Sequence, residues 1–123
     1  MEKQIKKHVI IVDDSRDDRA IAKKILEKNN FLVSEAGTWL EALELLGKED
    51  FDLVLLDLRM PDMDGMELLG IIRRNNNKKD LPVVVYSSYE LARSEDKNEI
   101  NGFIEKYCEP EKLIKSINQT LGL

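Results

Sequence analysis

Residues 8–15 read HVIIVDDS, an apolar run of four residues that leads directly into two adjacent aspartates, Asp13 and Asp14. A strand exposed on one face would alternate apolar and polar side chains, so the continuous run predicts a strand covered on both faces. The pattern recurs in LVLLD at residues 53–57, where the run ends in Asp57. These two stretches predict central strands of a parallel sheet with helices on both sides.

The rest of the chain alternates short β-branched runs with longer segments of helical period. Five strands are predicted, at residues 8–12, 31–35, 53–56, 82–86 and 102–105. Four helices are predicted from apolar stripes, at residues 16–29, 39–47, 64–74 and 111–121. Ser15 and Thr38 are suited to cap the first two, and Gly47 to end the second. A fifth helix is predicted over residues 89–101, where apolar residues are sparse.

This alternation determines the expected fold class. Five strands joined through helices predict right-handed crossovers and a three-layer α/β sandwich, in which a five-stranded parallel sheet is flanked by five helices. The 123 residues fit one domain spanning residues 1–123. A polar site in such a fold is expected at the carboxyl ends of the strands.

The composition excludes several functional classes. The sequence has no apolar run of about 20 residues, which argues against a membrane span, and the formal net charge of -5 argues against direct nucleic-acid binding. The chain has one histidine, His8, and one cysteine, Cys108, which argues against a zinc centre, a histidine-based nucleophile relay and an internal disulfide. We expect a soluble, cytoplasmic protein.

Acidic residues end two of the predicted strands. Asp13 and Asp14 follow the first strand and Asp57 follows the third, so the fold places three carboxylates at one edge of the sheet. Because like charges at short range repel, the cluster predicts a counter-ion. Oxygen ligands without imidazole or thiolate favour a hard, partly hydrated divalent cation, which indicates Mg²⁺, with Mn²⁺ as the alternative.

Two further polar residues are expected at the same edge. Ser87 follows the fourth predicted strand and Lys106 the fifth. A hydroxyl, an ammonium, a metal and a carboxylate nucleophile together are typical of phosphoryl transfer. Taken singly, Asp13 or Asp57 fits a helix N-cap, Ser87 a turn hydroxyl and Lys106 a solvated surface charge. The set, not any one member, favours phosphoryl transfer.

The motifs IIVDDS at residues 10–15 and LVLLDLRMPDMDG at residues 53–65 resemble those of a known family. Together with Ser87, Phe103 and Lys106, they are similar to the receiver domain of two-component response regulators, of the stand-alone CheY-like type. The resemblance covers essentially the whole chain and implies a flavodoxin-like, CheY-like fold. It also implies a phosphoprotein of a two-component phosphorelay.

The resemblance implies a role for each matching position. Asp57 would be the phosphoacceptor, with Lys106 and Ser87 contacting the phosphoryl group. Mg²⁺ would be bound by Asp14 and Asp57, by the backbone carbonyl of Arg59, and by Asp13 largely through water. Ser87 and Phe103 would form a switch that reshapes the face around the fourth helix, the fifth strand and the last helix. Spacing alone fits Phe103 equally well as a core aromatic.

The resemblance also implies partners. A sensor histidine kinase or a histidine phosphotransfer protein would supply the phosphoryl group, and a downstream protein would bind the switched face. Such a domain is not a conventional enzyme, although it catalyses its own phosphorylation and dephosphorylation. The sequence departs from the family at Tyr107, because Lys106 is usually followed by a cis proline. We therefore expect a differently set loop after Lys106.

Two alternatives differ from this interpretation in class. A degenerate receiver would act as a phosphorylation-independent binding module, which the intact set of aspartates, serine and lysine disfavours. A Mg²⁺-dependent phosphohydrolase of the haloacid-dehalogenase type would need a second aspartate two residues after Asp57, where this chain has Arg59.

Overall fold

A computed structural model describes residues 6–61, 63–75, 78–88 and 100–123. The elements within these ranges are β1 (His8–Val12), α1 (Arg16–Lys28), β2 (Leu32–Ala36), α2 (Trp39–Lys48), β3 (Leu53–Leu56), β4 (Arg59–Met60), β5 (Met63–Asp64), α3 (Gly65–Arg74), β6 (Val83–Ser87), β7 (Gly102–Glu105) and α4 (Pro110–Leu121). The helix predicted over residues 89–101 falls largely on residues 89–99, which lie outside the described ranges.

Five of the strands form one parallel sheet. Its order is β2-β1-β3-β6-β7, and every neighbouring pair is parallel. This confirms the predicted α/β class and the five-stranded parallel sheet. The strand order reverses beside β1, between β1 and β3, which is where a doubly wound sheet opens a crevice for ligands. The two-residue strands β4 and β5 pair antiparallel with each other, before α3.

The sheet separates two apolar cores. On one face Ile10 and Val12 of β1 pack with buried residues of α2 and α3, and on the other face Val9 and Ile11 pack with buried residues of α1 and α4. All residues of β3 and β6 are buried, whereas the edge strands β2 and β7 are partly exposed. The continuous apolar runs are therefore covered on both faces, as predicted.

Hydroxyl caps fix where the first two helices begin. The Ser15 side chain accepts a hydrogen bond from the Asp18 N–H, and the Thr38 side chain accepts one from the Glu41 N–H. Each bond satisfies a backbone donor that the first turn of a helix leaves unpaired. The cap at Ser15 also fixes the first turn of α1 directly after the two aspartates that follow β1.

Several predicted boundaries were wrong by one residue. The strand predicted at residues 82–86 is Val83–Ser87, because Pro82 has no N–H for the ladder and Ser87 is paired with Glu105. The strand predicted at residues 31–35 is Leu32–Ala36. Gly47 does not end α2, which continues to Lys48.

The ends of three helices also differ from the prediction by one residue. The first helix ends at Lys28, with Asn29 as its C-cap. The third begins at Gly65, because Asp64 pairs with Arg59 in the short hairpin. The last begins at Pro110, a residue suited to a first helical position because it has no N–H that would be left unpaired. Within the described ranges, no helix combines the length and apolar character needed to cross a membrane.

Candidate functional site

The backbone carries four polar residues to the same edge of the sheet. The N–H of Asp13 donates to the carbonyl of Ala36 at 3.0 Å, and the N–H of Asp57 donates to that of Val12 at 2.9 Å. The N–H of Lys106 donates to the carbonyl of Ser87 at 2.8 Å. Each strand end is thus hydrogen-bonded to the neighbouring strand, so the sheet fixes the backbone positions from which these side chains project.

Three carboxylates cluster at this edge. Oxygens of Asp13, Asp14 and Asp57 all lie within 4.8 Å of one another. Asp13 and Asp57 are buried, whereas Asp14 is exposed. An all-oxygen donor set with one side open to water fits a hard divalent cation that retains part of its hydration shell. The predicted convergence of the three acids is confirmed.

Ser87 is fully buried against Asp57. Its hydroxyl donates to Asp57 Oδ1 at 2.6 Å, and the Arg59 N–H donates to the same oxygen at 3.1 Å. The hydroxyl therefore lies where it could donate instead to a group attached to Asp57. Ser87 closes β6 rather than following it, so the strand pairing fixes its position more firmly than a turn would.

Lys106 reaches into the carboxylate cluster. Its Nζ lies 2.8 Å from Asp13 Oδ2 and 2.9 Å from Asp57 Oδ2, and its side chain is 9% exposed. Burial lowers the pKa of this ammonium, but the hydrogen bonds to Asp13, Asp18 and Asp57 raise it by more, and the net pKa lies well above its ordinary value. Lys106 is consequently a permanent cation at neutral pH.

The charged form of the Asp13 carboxyl is disfavoured by its surroundings. Burial raises its pKa, while the hydrogen bonds from Lys106 and from the Ser15 N–H lower it, and the net pKa is raised. The nearby Asp57 charge raises the pKa of Asp13 further. Among the described residues, the carboxylates of the pocket outnumber the one ammonium that contacts them, which is the electrostatic condition for attracting a cation.

A comparison of the sequence with family profiles identifies the class of domain. The profile of the response regulator receiver domain matches residues 9–118, nearly the whole chain. The chain is a response regulator receiver domain. This confirms the resemblance inferred from the IIVDDS and LVLLDLRMPDMDG motifs.

Proteins similar to this chain in sequence and in structure are also response regulators. The two-component response regulator ORR5 of Oryza sativa subsp. japonica is 42% identical over 86 residues, which make up 69% of this chain and 64% of that protein. The chemotaxis response regulator CheY4 of Vibrio cholerae is 28% identical with a TM-score of 0.85, covering 95% of this chain and 100% of that one.

A further solved structure holds a ligand. The response regulator TrrA of Thermotoga maritima, in complex with Mg²⁺-BeF, is 28% identical with a TM-score of 0.85 and covers 94% of this chain and 99% of that one. A protein with the same fold as this chain has therefore been solved in a complex that contains magnesium.

One member of the pocket escaped the sequence analysis. Asp18, in the first turn of α1, places Oδ2 2.8 Å from the Nζ of Lys106, and the hydroxyl of Tyr107 donates to the same Asp18 oxygen at 3.1 Å. Burial raises the pKa of Asp18, but the hydrogen bond and the charge of Lys106 lower it by more, so the net pKa is lowered. An acid in the first turn of a helix is common, so Asp18 does not by itself indicate a role in the pocket. The sequence feature that could have pointed to it is its position five residues after Asp13.

The loop after Lys106 differs from the family habit, as expected. The peptide bond between Lys106 and Tyr107 is trans, and Tyr107 has φ of 67°, in the left-handed region. Such a conformation is uncommon for a bulky residue. This backbone turn still delivers the Lys106 side chain to Asp57 and also places the Tyr107 hydroxyl against Asp18.

Two predicted residues lie beside the pocket with untested roles. Arg59 is exposed, and its carbonyl as a metal ligand remains a prediction. Phe103 lies in β7 opposite Val85 and is partly buried against the core shared with α2 and α3. This packing fits a core aromatic, and a switching role for Phe103 remains a prediction.

Proposed function

We propose that this receiver domain accepts a phosphoryl group on Asp57 from a phosphohistidine. The observation that carries the proposal is the contact of one buried carboxylate with two donors, the Ser87 hydroxyl at Oδ1 and the Lys106 ammonium at Oδ2. Phosphoryl transfer requires fixed positive charge and hydrogen-bond donors around the transferred oxygens. Both kinds of group are in place around Asp57 before any donor arrives.

The residues present fit a divalent cation. Asp13, Asp14 and Asp57 would hold Mg²⁺, with the carbonyl of Arg59 as a further ligand, and Mn²⁺ would suit the same oxygen donors. When bound, the ion supplies positive charge that neutralises the transferred phosphoryl group. The fit rests on the clustered carboxylate oxygens and on the exposure of Asp14. The structure of TrrA in complex with Mg²⁺-BeF supports magnesium as the ion.

The protein's own groups perform the rest of the chemistry. A carboxylate oxygen of Asp57 attacks phosphorus, and the bond between phosphorus and the donor's imidazole nitrogen breaks. Lys106 is already charged and needs no proton transfer before it binds a phosphoryl oxygen. Ser87 can exchange its bond to Asp57 for a bond to the phosphoryl group, because a hydroxyl rotates freely about its C–O bond.

The same exchange links chemistry to shape. A phosphoryl group that recruits Ser87 and Lys106 favours one arrangement of the β6 and β7 ends over another, and Phe103 in β7 is the adjacent aromatic that would respond. The face around β7 and α4 would then be read by a downstream protein. A sensor histidine kinase or a histidine phosphotransfer protein would be the donor. We propose a cytoplasmic domain, spanning residues 1–123, that acts through protein binding and not on nucleic acid directly.

Intact mass spectrometry tests the proposal. The chain is incubated with Mg²⁺ and acetyl phosphate, and one hydroxylamine-labile phosphoryl group is expected to appear. Asp57→Ala and the isosteric Asp57→Asn should take none, whereas Asp52→Ala, which alters an aspartate at the other edge of the sheet, should behave as the wild type. EDTA should prevent formation of the adduct.

The outcomes separate the competing classes. A degenerate receiver would gain no phosphoryl group under any of these conditions. A phosphohydrolase would consume acetyl phosphate without accumulating the Asp57 adduct. Either result, or an adduct that persists in Asp57→Asn, would overturn the assignment of Asp57 as phosphoacceptor.

A further inference from the structure

The ammonium of Lys106 is shared by more acids than the phosphoacceptor pocket needs. Within the described residues, its Nζ lies 2.8 to 2.9 Å from one oxygen each of Asp13, Asp18 and Asp57. An ammonium has three hydrogens to donate. Each of its three N–H donors therefore has a carboxylate partner. One of these partners, Asp18, lies in α1 and not at the end of a strand.

We propose that Asp18 is a positioning residue that competes with the phosphoryl group on Asp57 for Lys106. Asp18 contacts Lys106 and not Asp57, so it would act on phosphoryl capture through the lysine. The inference rests on the proposed function, because it presumes that Lys106 binds a phosphoryl oxygen. It goes further by assigning a residue that opposes this bond.

The competition follows from the number of donors. Bonding to phosphorus removes the carboxylate charge of Asp57, so the phosphoryl oxygens take over the donor that Asp57 used, while Asp13 and Asp18 still hold the other two. The Asp13 side chain is 3% exposed and that of Asp57 is 6% exposed, whereas that of Asp18 is 13% exposed. Water can replace the lysine at the most exposed acid with the smallest desolvation cost. Asp18 is therefore the acid that Lys106 gives up when it turns further toward the phosphoryl oxygens, and its bond to Lys106 opposes that movement.

Tyr107 adjusts the strength of this competition. Its hydroxyl donates to Asp18 Oδ2 at 3.1 Å, the same oxygen that Lys106 contacts. A second donor on one carboxylate oxygen weakens the hold of that oxygen on the first. The hydroxyl also remains as a partner for Asp18 once Lys106 has turned to the phosphoryl group. The tyrosine thus favours release of the lysine.

The test uses beryllofluoride, with Mg²⁺, as a stable substitute for the phosphoryl group, and measures its affinity by calorimetry. Asp18→Asn keeps the size of the side chain and removes its charge, and it should bind beryllofluoride about 5-fold tighter, as expected for loss of one partly exposed ion pair. Asp17→Asn is the matched control. Asp17 is the exposed acid next to Asp18, and this substitution makes the same change in net charge. It should alter the affinity by less than about 2-fold.

Two further variants show whether the effect passes through Lys106. In a Lys106→Met background, Asp18→Asn should have no more effect than Asp17→Asn, because the contested ammonium is gone. Tyr107→Phe should act in the opposite direction and weaken beryllofluoride binding by about 2-fold, since Asp18 then holds Lys106 more firmly. The ¹⁵N resonance of the Lys106 ammonium should move in Asp18→Asn and stay in place in Asp17→Asn.

The results distinguish this proposal from the one it rests on. If the wild type takes no phosphoryl group from acetyl phosphate, the proposed function fails. If the wild type forms the Asp57 adduct while Asp18→Asn binds beryllofluoride as the wild type does, or more weakly, competition by Asp18 is overturned and phosphoacceptance stands. A full effect of Asp18→Asn in the Lys106→Met background would likewise overturn it, by showing that the charge acts without the lysine.

Discussion

The two ends of the parallel strands, the edge of the sheet where they begin and the edge where they finish, use polar residues in opposite ways. At the edge where the strands begin, the His8 N–H donates to Asp52 Oδ2 at 2.7 Å, and the imidazole Nε2 lies 2.8 Å from the Ser34 hydroxyl. The imidazole ring also packs on Phe51 with centroids 4.4 Å apart. Each of these polar groups has a partner of matching character, and the arrangement contributes to holding β1 in place.

At the edge where the strands end, the described residues carry an excess of negative charge. Asp13, Asp18 and Asp57 contact a single ammonium, that of Lys106, and Asp14 lies beside them. Burial of the Asp13 charge costs stability, so folding alone does not account for it. The comparison indicates that matched polar pairs serve the fold, whereas the unmatched charge held by the strand ends suits the cation and the phosphoryl group that we propose it binds.

The largest effect is expected from removing the ammonium. Lys106→Met leaves Asp13 and Asp57 buried without their cation, so the free energy of unfolding without Mg²⁺ should fall by about 3 kcal/mol. The rate of phosphorylation by acetyl phosphate should fall about 100-fold, because a fixed charge on the transferred oxygens is lost. Urea denaturation and timed intact-mass measurements give the two quantities. Lys112→Met, at an exposed lysine of α4, is the control. If that variant lost as much stability and as much phosphorylation rate, the effects of Lys106→Met would not come from its contacts in the pocket.

A smaller effect of opposite sign is expected at Asp13. Because the pKa of Asp13 is raised above its ordinary value of 3.8 by burial, the folded chain binds this proton more tightly than the unfolded chain does. The stability from Asp13 is thus present below 3.8 and lost as pH rises through the raised folded pKa. Asp13→Asn should therefore raise the free energy of unfolding by about 1 kcal/mol at about pH 7.

The pH dependence and the function separate this effect from simple repacking. The gain in Asp13→Asn should vanish at about pH 3, where the wild-type carboxyl is protonated in both states. Phosphorylation in Mg²⁺ should become slower in the same variant, because one acid of the cluster is lost. Urea titrations at the two pH values make the measurement, and a gain that persists undiminished in acid would contradict the assigned cause.

The smallest effect is expected at the opposite edge. Asp52→Ala removes the acceptor of the His8 N–H, which is part-buried, and should lower the free energy of unfolding by about 0.5 kcal/mol. The rate of phosphorylation should not change, because Asp52 lies at the far end of the strands. A slower phosphorylation in this variant would show that the two edges are coupled.

The sequence contained most of the fold and part of the site. Continuous apolar runs predicted the buried strands, and residues that follow a strand, such as Asp57 and Lys106, were predictable because parallel strands end at one edge. Asp18 was missed because its role depends on how α1 lies against the loop after β7, a relation set by tertiary packing. The contribution of Tyr107 depends on a left-handed φ that its side chain does not indicate.

The bond between the Lys106 N–H and the Ser87 carbonyl has a mechanical consequence. It ties together, through the main chain, the two residues whose side chains would hold a phosphoryl group. A displacement of either strand tip is transmitted to the other without any side chain as intermediary. Any shift of Ser87 would therefore also shift Lys106 and, through it, the short connection into α4.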